Sequence, residues 1–169
     1  MENMKTYKGL YRIKNPSKYD GDPENVVYRS LWERQCFRWC DDNPKVKKWS
    51  SEETVIPYFY DVDKKYHRYF VDLKITYQDG QTSLVEIKPE KETNIPQKSG
   101  SRTTKRYVNE AMTYVKNMNK WEAANSYAKD RGWDFQIWTE KTLQEMGILP
   151  KQKKIKPLKP LTSKSKKKT

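Results

Sequence analysis

The sequence predicts an α/β domain in which helices flank a mixed central sheet. The clearest element is residues 66–77, where apolar and polar side chains alternate over the whole length, as in a half-buried strand. A polar turn at residues 78–80 leads into a second alternating segment at 81–88. Helical patterns on both sides of these strands, and a further strand pattern at 133–138, complete the order of elements expected of an α/β fold.

The segment before these strands divides into an arm, a helix and a pair of strands. Residues 1–27 are polar and interrupted by glycine and proline, which predicts an irregular N-terminal arm. Ser30 followed by Glu33 fits a capping box and predicts a helix start, and residues 42–44 end that helix. A short strand and a longer one at 54–60 are expected to follow.

The segment after the strands is predicted to be mainly helical. Its predicted elements are a hydrophilic loop at 89–104, a helix at 105–119, a second helix from a cap at 119–122 to Gly132, and a short helix from Thr139 to Gly147. The Lys/Pro/Ser-rich tail at 150–169 lacks the apolar residues needed for a core, which predicts disorder. The chain is therefore expected to consist of the arm, a folded domain at 28–149 and this tail.

The net charge of +13 and the pI of about 9.6 indicate a polyanionic partner, usually a nucleic acid. Nine lysines and no acid follow Pro150, so residues 1–150 carry a net charge of only +4. The tail has three interpretations: a phosphate-binding arm, a docking segment for an acidic partner, and a solubilising tail. We favour the first, because each lysine placed on DNA releases counterions and adds salt-dependent affinity.

The cysteine and histidine content argues against a zinc site. Cys36 and Cys40 share a helix face at i, i+4 spacing, and His67 is the one histidine of the chain, so we expect buried free thiols. His67 itself is expected to be a partly exposed strand residue. The sequence has no visible signal peptide and no apolar run near the roughly 18 residues of a membrane span, which predicts a soluble, cytosolic protein with no membrane partner.

Two pairings of the strands joined at Gly80 are consistent with the turn. A two-residue turn would set Asp72 opposite the apolar Ile87, whereas a three-residue loop with a left-handed Gly80 would set Asp72 opposite Glu86. The three-residue loop matches apolar to apolar positions along the rest of both strands. Because a slip by one residue would turn every side chain to the other face, the hydrophobic pattern favours this register.

This register predicts a cation site. Asp72 and Glu86 would have Cβ atoms about 5 Å apart, where like charges repel unless another group neutralises them. Lys88 and Lys74 would do this in part, and a divalent ion such as Mg²⁺, which takes a few carboxylates and keeps waters, would do it better. Lys88 shares a face with Glu86 and would hold or help deprotonate an attacking water. The alternative is a solvated sheet face with an ordinary salt bridge, worth less than about 1 kcal/mol.

The same residues resemble the signature of the PD-(D/E)XK nucleases. Asp72 on one strand is followed by Glu86-Ile87-Lys88 on the next, and Glu33 supplies an upstream helical acid. The arrangement is similar to that of TnsA and its relatives and, more specifically, to that of the head completion nucleases of T-even type phages, over most of the chain. In one departure from the signature, no proline directly precedes Asp72.

The resemblance implies a restriction-endonuclease-like fold and a metal-dependent DNA endonuclease. Asp72, Glu86 and the Ile87 carbonyl would bind Mg²⁺ (or Mn²⁺), Glu33 would be a further acid of the metal site, and Lys88 would be the catalytic lysine. The resemblance also implies a role in phage head completion, in which the protein processes the end of packaged double-stranded DNA before tail attachment. Its partners would then include portal or neck proteins, and its location would be the host cytoplasm during assembly and the head–neck region of the virion.

Two other functions are consistent with the sequence. The fold would serve as a DNA-end-binding connector of head and neck in which catalysis is incidental. Alternatively, as the likeness to TnsA implies, it would be the nuclease subunit of a transposition or repair complex, and so small a chain would then need another subunit for sequence-specific targeting.

Basic residues close to the acid pair in the sequence are candidates for binding DNA phosphates. They are Arg29, Lys74, Arg102, Lys105 and Arg106. Residues 89–104 are long for a loop inside a compact domain, and they are either a DNA-facing flap or a plain solvated loop.

Overall fold

The computed structural model describes residues 7–152 and shows the predicted mixed α/β fold. The strands are β1 (Gly9–Leu10), β2 (Val27–Tyr28), β3 (Val46–Ser51), β4 (Val55–Tyr60), β5 (Lys65–Phe70), β6 (Leu73–Tyr77), β7 (Thr82–Ile87) and β8 (Asp134–Trp138). The helices are α1 (Leu31–Asp42), α2 (Lys105–Asp130) and α3 (Glu140–Glu145), with 3-10 turns at Pro16–Lys18 and Glu90–Glu92. None of the helices described in this range is both long and apolar enough to span a bilayer. The tail predicted at 150–169 lies outside the described residues from 153 onward.

The central sheet has four strands in the order β3-β6-β7-β8. β3, β6 and β7 are antiparallel neighbours, and β8 runs parallel to β7. Alternate side chains of β7 enter two apolar clusters: Val85 lies in the cluster of Phe37 from α1, whereas Leu84 lies in the cluster of Ala124 from α2. The sheet is therefore covered by α1 on one face and by α2 on the other.

β6 and β7 pair in the register of the three-residue loop, as the hydrophobic pattern predicts. Leu73 lies opposite Val85, and the Tyr77 N–H donates to the Gln81 carbonyl at 2.8 Å. Gly80 closes the loop at a φ of +88°, a left-handed conformation that glycine adopts without steric strain.

The prediction of one continuous strand at 66–77 is wrong, because the chain divides it in two. β5 pairs with β4 in a separate two-stranded sheet, while β6 belongs to the central sheet. The change of partner falls at Val71, whose N–H donates to the Thr54 carbonyl at 3.0 Å, and at Asp72, which lies in neither strand. Since Val71 and Leu73 are both buried, the alternation continues across the break and gives no sign of it.

One helix, α2, replaces the two helices predicted after residue 105. It runs without a break through Asn119, which fits the pattern of a helix cap. The Asn119 side chain instead binds the loop between β4 and β5: it accepts from the Asp61 N–H at 3.0 Å and donates to the Asp61 carboxylate at 2.8 Å. A tertiary contact thus satisfies the polar group that would otherwise serve as a cap.

α1 begins and ends where the sequence predicts. The Ser30 hydroxyl accepts from the Glu33 N–H at 3.2 Å, and Asn43 follows the last helical residue. The apolar cluster on this side of the sheet also includes Tyr19 and Val26, from the segment predicted to be an irregular arm. This segment therefore contributes to the core that supports the sheet.

Cys36 and Cys40 are buried free thiols, as predicted. Burial raises the pKa of both thiols, which keeps them protonated and makes them poor metal ligands and nucleophiles. His67 is a partly exposed residue of β5, as predicted, and its Nε2 lies 2.6 Å from the Asp63 carboxylate. The chemistry of the site must therefore come from other side chains.

Candidate active site

Two acidic side chains lie opposite each other where β6 begins and β7 ends. The register that pairs Leu73 with Val85 sets Asp72 opposite Glu86, on the face of the sheet that α2 covers. Glu86 is buried, with 6% of its surface exposed, and Asp72 is partly buried. The Ile87 N–H donates to the Asp72 carboxylate at 2.7 Å and ties the start of β6 to the end of β7.

Two side chains hold the Glu86 carboxylate. The Tyr69 hydroxyl donates to one oxygen, and the Lys88 ammonium lies 3.2 Å from the other. Lys88 follows Glu86 by two residues, and its side chain is 22% exposed, so it extends from the buried acid towards solvent. Both Glu86 oxygens are therefore oriented by the protein itself.

The charge of Lys88 offsets only part of the repulsion between the two carboxylates of the acid pair. Burial raises the pKa of Asp72 well above its usual value and the charge of Glu86 raises it further, while the Ile87 N–H and Lys88 lower it only in part. Burial and the charge of Glu86 also raise the pKa of Tyr69, so its hydroxyl stays protonated and remains a donor. A cation placed between the two carboxylates would relieve their repulsion.

Glu33 lies beside this pair but its carboxylate binds the start of α1. It accepts from the Arg29 N–H at 2.8 Å, one residue earlier than a capping box predicts, and it lies 3.4 Å from the Ser30 hydroxyl. Burial raises the pKa of Glu33, and the charge of Glu33 in turn raises the pKa of Asp72. Within residues 7–152, no three His, Cys, Asp or Glu side chains are arranged to bind one metal ion, so the metal role of Glu33 stays a prediction.

Among residues 7–152, none of the five basic residues predicted to bind DNA forms an ion pair with Asp72 or Glu86. Three of them form ion pairs at 2.7, 3.7 and 2.9 Å: Arg29 with Glu52, Lys74 with Asp20, and Arg106 with Glu110. The other two, Arg102 and Lys105, are exposed. Among the lysines predicted to offset the acid pair, Lys88 forms an ion pair with it, whereas Lys74 is directed to Asp20 and the Trp133 ring.

Sequence patterns identify neither Tyr69 nor Lys120 as residues of this site. Tyr69 alternates with apolar neighbours and is predicted to share the face of Val71, opposite to that of Asp72, so the alternation conceals its contact with the buried acid. Lys120 extends from α2, and its ammonium lies 5.4 Å from the centre of the Tyr69 ring. The helix break predicted at Asn119 separates Lys120 from Lys116 and conceals the helix face that they share.

A mixed sheet with two opposed carboxylates and a lysine at the ends of adjacent antiparallel strands is an arrangement typical of endonucleases of the PD-(D/E)XK type. Residues 43–140 match the family described as TnsA-like endonuclease N terminal. The chain is also 46% identical to the head completion nuclease of Enterobacteria phage T4 over 145 residues, which cover 84% of this chain and 97% of that relative. The chain therefore belongs to the TnsA-like endonuclease family, as its sequence predicts. No solved structure matches it significantly.

Replacing Asp72 with asparagine is expected to stabilise the protein by about 1 kcal/mol at neutral pH without divalent ions, because one of two opposed charges is removed. The raised pKa of Asp72 sets the sign of the pH dependence. The folded state binds the Asp72 proton more tightly than the unfolded state does. Protonated Asp72 therefore contributes to the free energy of unfolding in acid, and this contribution is lost as pH rises through the raised pKa. The gain in Asp72→Asn should therefore grow from pH 4 to pH 7.5.

Urea unfolding in EDTA at the two pH values measures this difference. Glu122→Gln, at an exposed position inside α2, is the matched control and should leave the free energy of unfolding unchanged. An Asp72→Asn variant that is less stable than wild type at pH 7.5 would contradict a repulsive acid pair.

Proposed function

We propose that this endonuclease hydrolyses phosphodiester bonds of double-stranded DNA in a divalent-metal-dependent reaction at Asp72, Glu86 and Lys88. The β6–β7 register supports the proposal most strongly, because it sets two carboxylates opposite each other with a lysine beside one of them. All three residues fall within the range that matches the endonuclease family, whereas Glu33 precedes that range.

The donor groups at the acid pair suit Mg²⁺ or Mn²⁺, which prefer oxygen ligands. One Asp72 oxygen accepts from the Ile87 N–H and leaves the other for a cation, and a carboxylate such as Glu86 has lone pairs beyond its two present contacts. The Ile87 carbonyl would be a further ligand, and Glu33 would act on the same ion from the start of α1. When bound, the ion would lower the pKa of a water, polarise a phosphate oxygen and stabilise the leaving oxygen.

The side chains of the chain have separate roles in this reaction. The Lys88 ammonium would donate a hydrogen bond to the attacking water and, through its positive charge, favour loss of the water's proton to solvent, since it extends from Glu86 towards solvent. The Tyr69 hydroxyl would keep Glu86 in position, and the Ile87 N–H would do the same for Asp72. The oxygen of that water then bonds to phosphorus as the bond from phosphorus to the leaving oxygen breaks, and the leaving oxygen takes a proton from solvent.

The biological role that we propose is phage head completion. The T4 relative is named for that process, and the match covers nearly the whole of it. This chain would process the end of packaged DNA before tail attachment, with portal or neck proteins as partners. It would act in the host cytoplasm during assembly and in the head–neck region of the virion.

Plasmid cleavage tests the nuclease proposal. With Mg²⁺ or Mn²⁺ the wild type should nick and linearise DNA, and EDTA should stop the reaction. Asp72→Asn and Lys88→Met should each lower the rate by at least about 100-fold, the scale of a lost acid, base or charge at a reacting centre. Asp130→Asn and Lys129→Met, both at exposed positions near the end of α2, should cut like the wild type. The proposal would be refuted if the folded wild type failed to cut DNA with every divalent metal tested, or if the Asp72→Asn variant cut at the wild-type rate.

Complementation tests the role in head completion. In T4 infections that lack a working head completion nuclease, the wild-type chain should restore tail attachment to filled heads, and Glu86→Gln should not. Glu86→Gln keeps the shape of the side chain but removes its charge. If Glu86→Gln restores attachment as well as wild type, catalysis is dispensable and the chain acts as a connector. If a wild type that cuts DNA restores nothing, the proposed role is wrong.

A further inference from the structure

Lys120 is a half-buried lysine of α2 that lies close to the acid pair. Its ammonium is 5.4 Å from the centre of the Tyr69 ring and 5.8 Å from the centre of the Tyr58 ring. The hydroxyl of the same Tyr69 donates to Glu86. One tyrosine thus contacts the buried acid through its hydroxyl and the lysine through the face of its ring.

The charges of the acid pair act on this ammonium. Burial lowers the pKa of Lys120, the charges of Glu86 and Asp72 raise it in part, and Lys88 lowers it further. Lys88 extends from the sheet and Lys120 from the helix that covers it. The acid pair therefore has a cation near it from each of the two layers.

Packing alone does not explain a charge at this position. Among residues 7–152, no carboxylate lies within ion-pair distance of Lys120 and no acceptor takes a hydrogen bond from it. A half-buried ammonium without an acceptor loses part of its hydration, whereas methionine would cover the same rings without that cost. The N–H donors of Lys120 are therefore available to an incoming acceptor.

Lys116 extends the positive surface along α2. It lies four residues before Lys120 on the same helix face, and its ammonium is 4.8 Å from the centre of the Tyr60 ring. Lys88 and Lys120 provide two ammonium groups near the two carboxylates, and Lys116 adds a third ammonium group one helical turn away from Lys120. A divalent ion would neutralise the carboxylates and leave these ammonium groups to the phosphates of the DNA backbone.

We propose that Lys120 binds a backbone phosphate of DNA at the cleavage site, donating to a non-bridging oxygen from the α2 side, and that Lys116 binds the neighbouring phosphate. This inference rests on the proposed nuclease function of Asp72, Glu86 and Lys88. Lys120 is then a substrate-binding residue, and its charge stabilises the negative charge that develops on the phosphate in the transition state.

The test compares full-length wild type, Lys120→Met, Lys120→Arg and Lys129→Met on one DNA duplex. Affinity is measured at several salt concentrations with Ca²⁺, an ion that takes oxygen ligands and would neutralise the acid pair, on duplex verified to stay uncut, and cleavage is measured with saturating Mg²⁺ or Mn²⁺. In Lys120→Met, the slope of log affinity against log salt should fall by about 0.9, the loss of one phosphate contact. Its kcat/KM should fall by about tenfold or more, which a contact to a charged group can supply. Lys120→Arg should keep most of the wild-type salt slope and most of the wild-type kcat/KM. Lys129→Met, the exposed control on the same helix, should match wild type in both quantities.

A wild-type salt slope and wild-type cleavage in Lys120→Met would overturn the inference, and so would equal losses in Lys120→Met and Lys129→Met. If wild type binds DNA but does not cut it with any metal, the nuclease proposal fails. The salt dependence of DNA affinity still decides whether Lys120 contacts a phosphate. Thermal unfolding of each variant separates a folding defect from a lost contact. Lys120→Gln supplies a second neutral side chain if the methionine variant does not fold.

Discussion

Leu73, Ile75 and Val85 are fully buried where β6 pairs with β7, and their burial fixes the register on which the site depends. A slip by one residue would turn these side chains out of the core. Burying each of them stabilises the fold by about 1.5–3 kcal/mol, whereas repulsion across one pair of like charges is worth at most about 1 kcal/mol. The hydrophobic core therefore forces two carboxylates together against their own electrostatic preference.

The separation of β5 from β6 creates the surroundings of this acid pair. Because the chain changes strand partners at Asp72, the β4–β5 hairpin lies under α2 instead of extending the central sheet. Tyr69 then meets Glu86 through its hydroxyl, and its ring lies close to Lys120. A continuous strand would carry the same side chains, but it would not bring the hairpin and α2 together around the carboxylates.

The sequence predicts those features of the site that depend on local chemistry and hydrophobic alternation. Gly80 and the apolar positions of two adjacent strands are sufficient to predict that Asp72 lies opposite Glu86. The strand break at Asp72 escapes prediction because alternation continues through it. The continuity of α2 escapes prediction because Asn119 satisfies a cap pattern locally, and only its contact with Asp61, distant in sequence, removes the need for a cap. Lys120 is hidden for the same reason.

A crystal grown with Mn²⁺ would test most directly whether the acid pair is a metal site. The anomalous difference map should contain a peak about 2.0–2.2 Å from carboxylate oxygens of both Asp72 and Glu86, at the distances typical of oxygen ligands. The Ile87 carbonyl should face the same peak. Saturating Mn²⁺ with no peak at these carboxylates, and with Tyr69 and Lys88 still holding Glu86 as they do here, would contradict metal-dependent catalysis at this site.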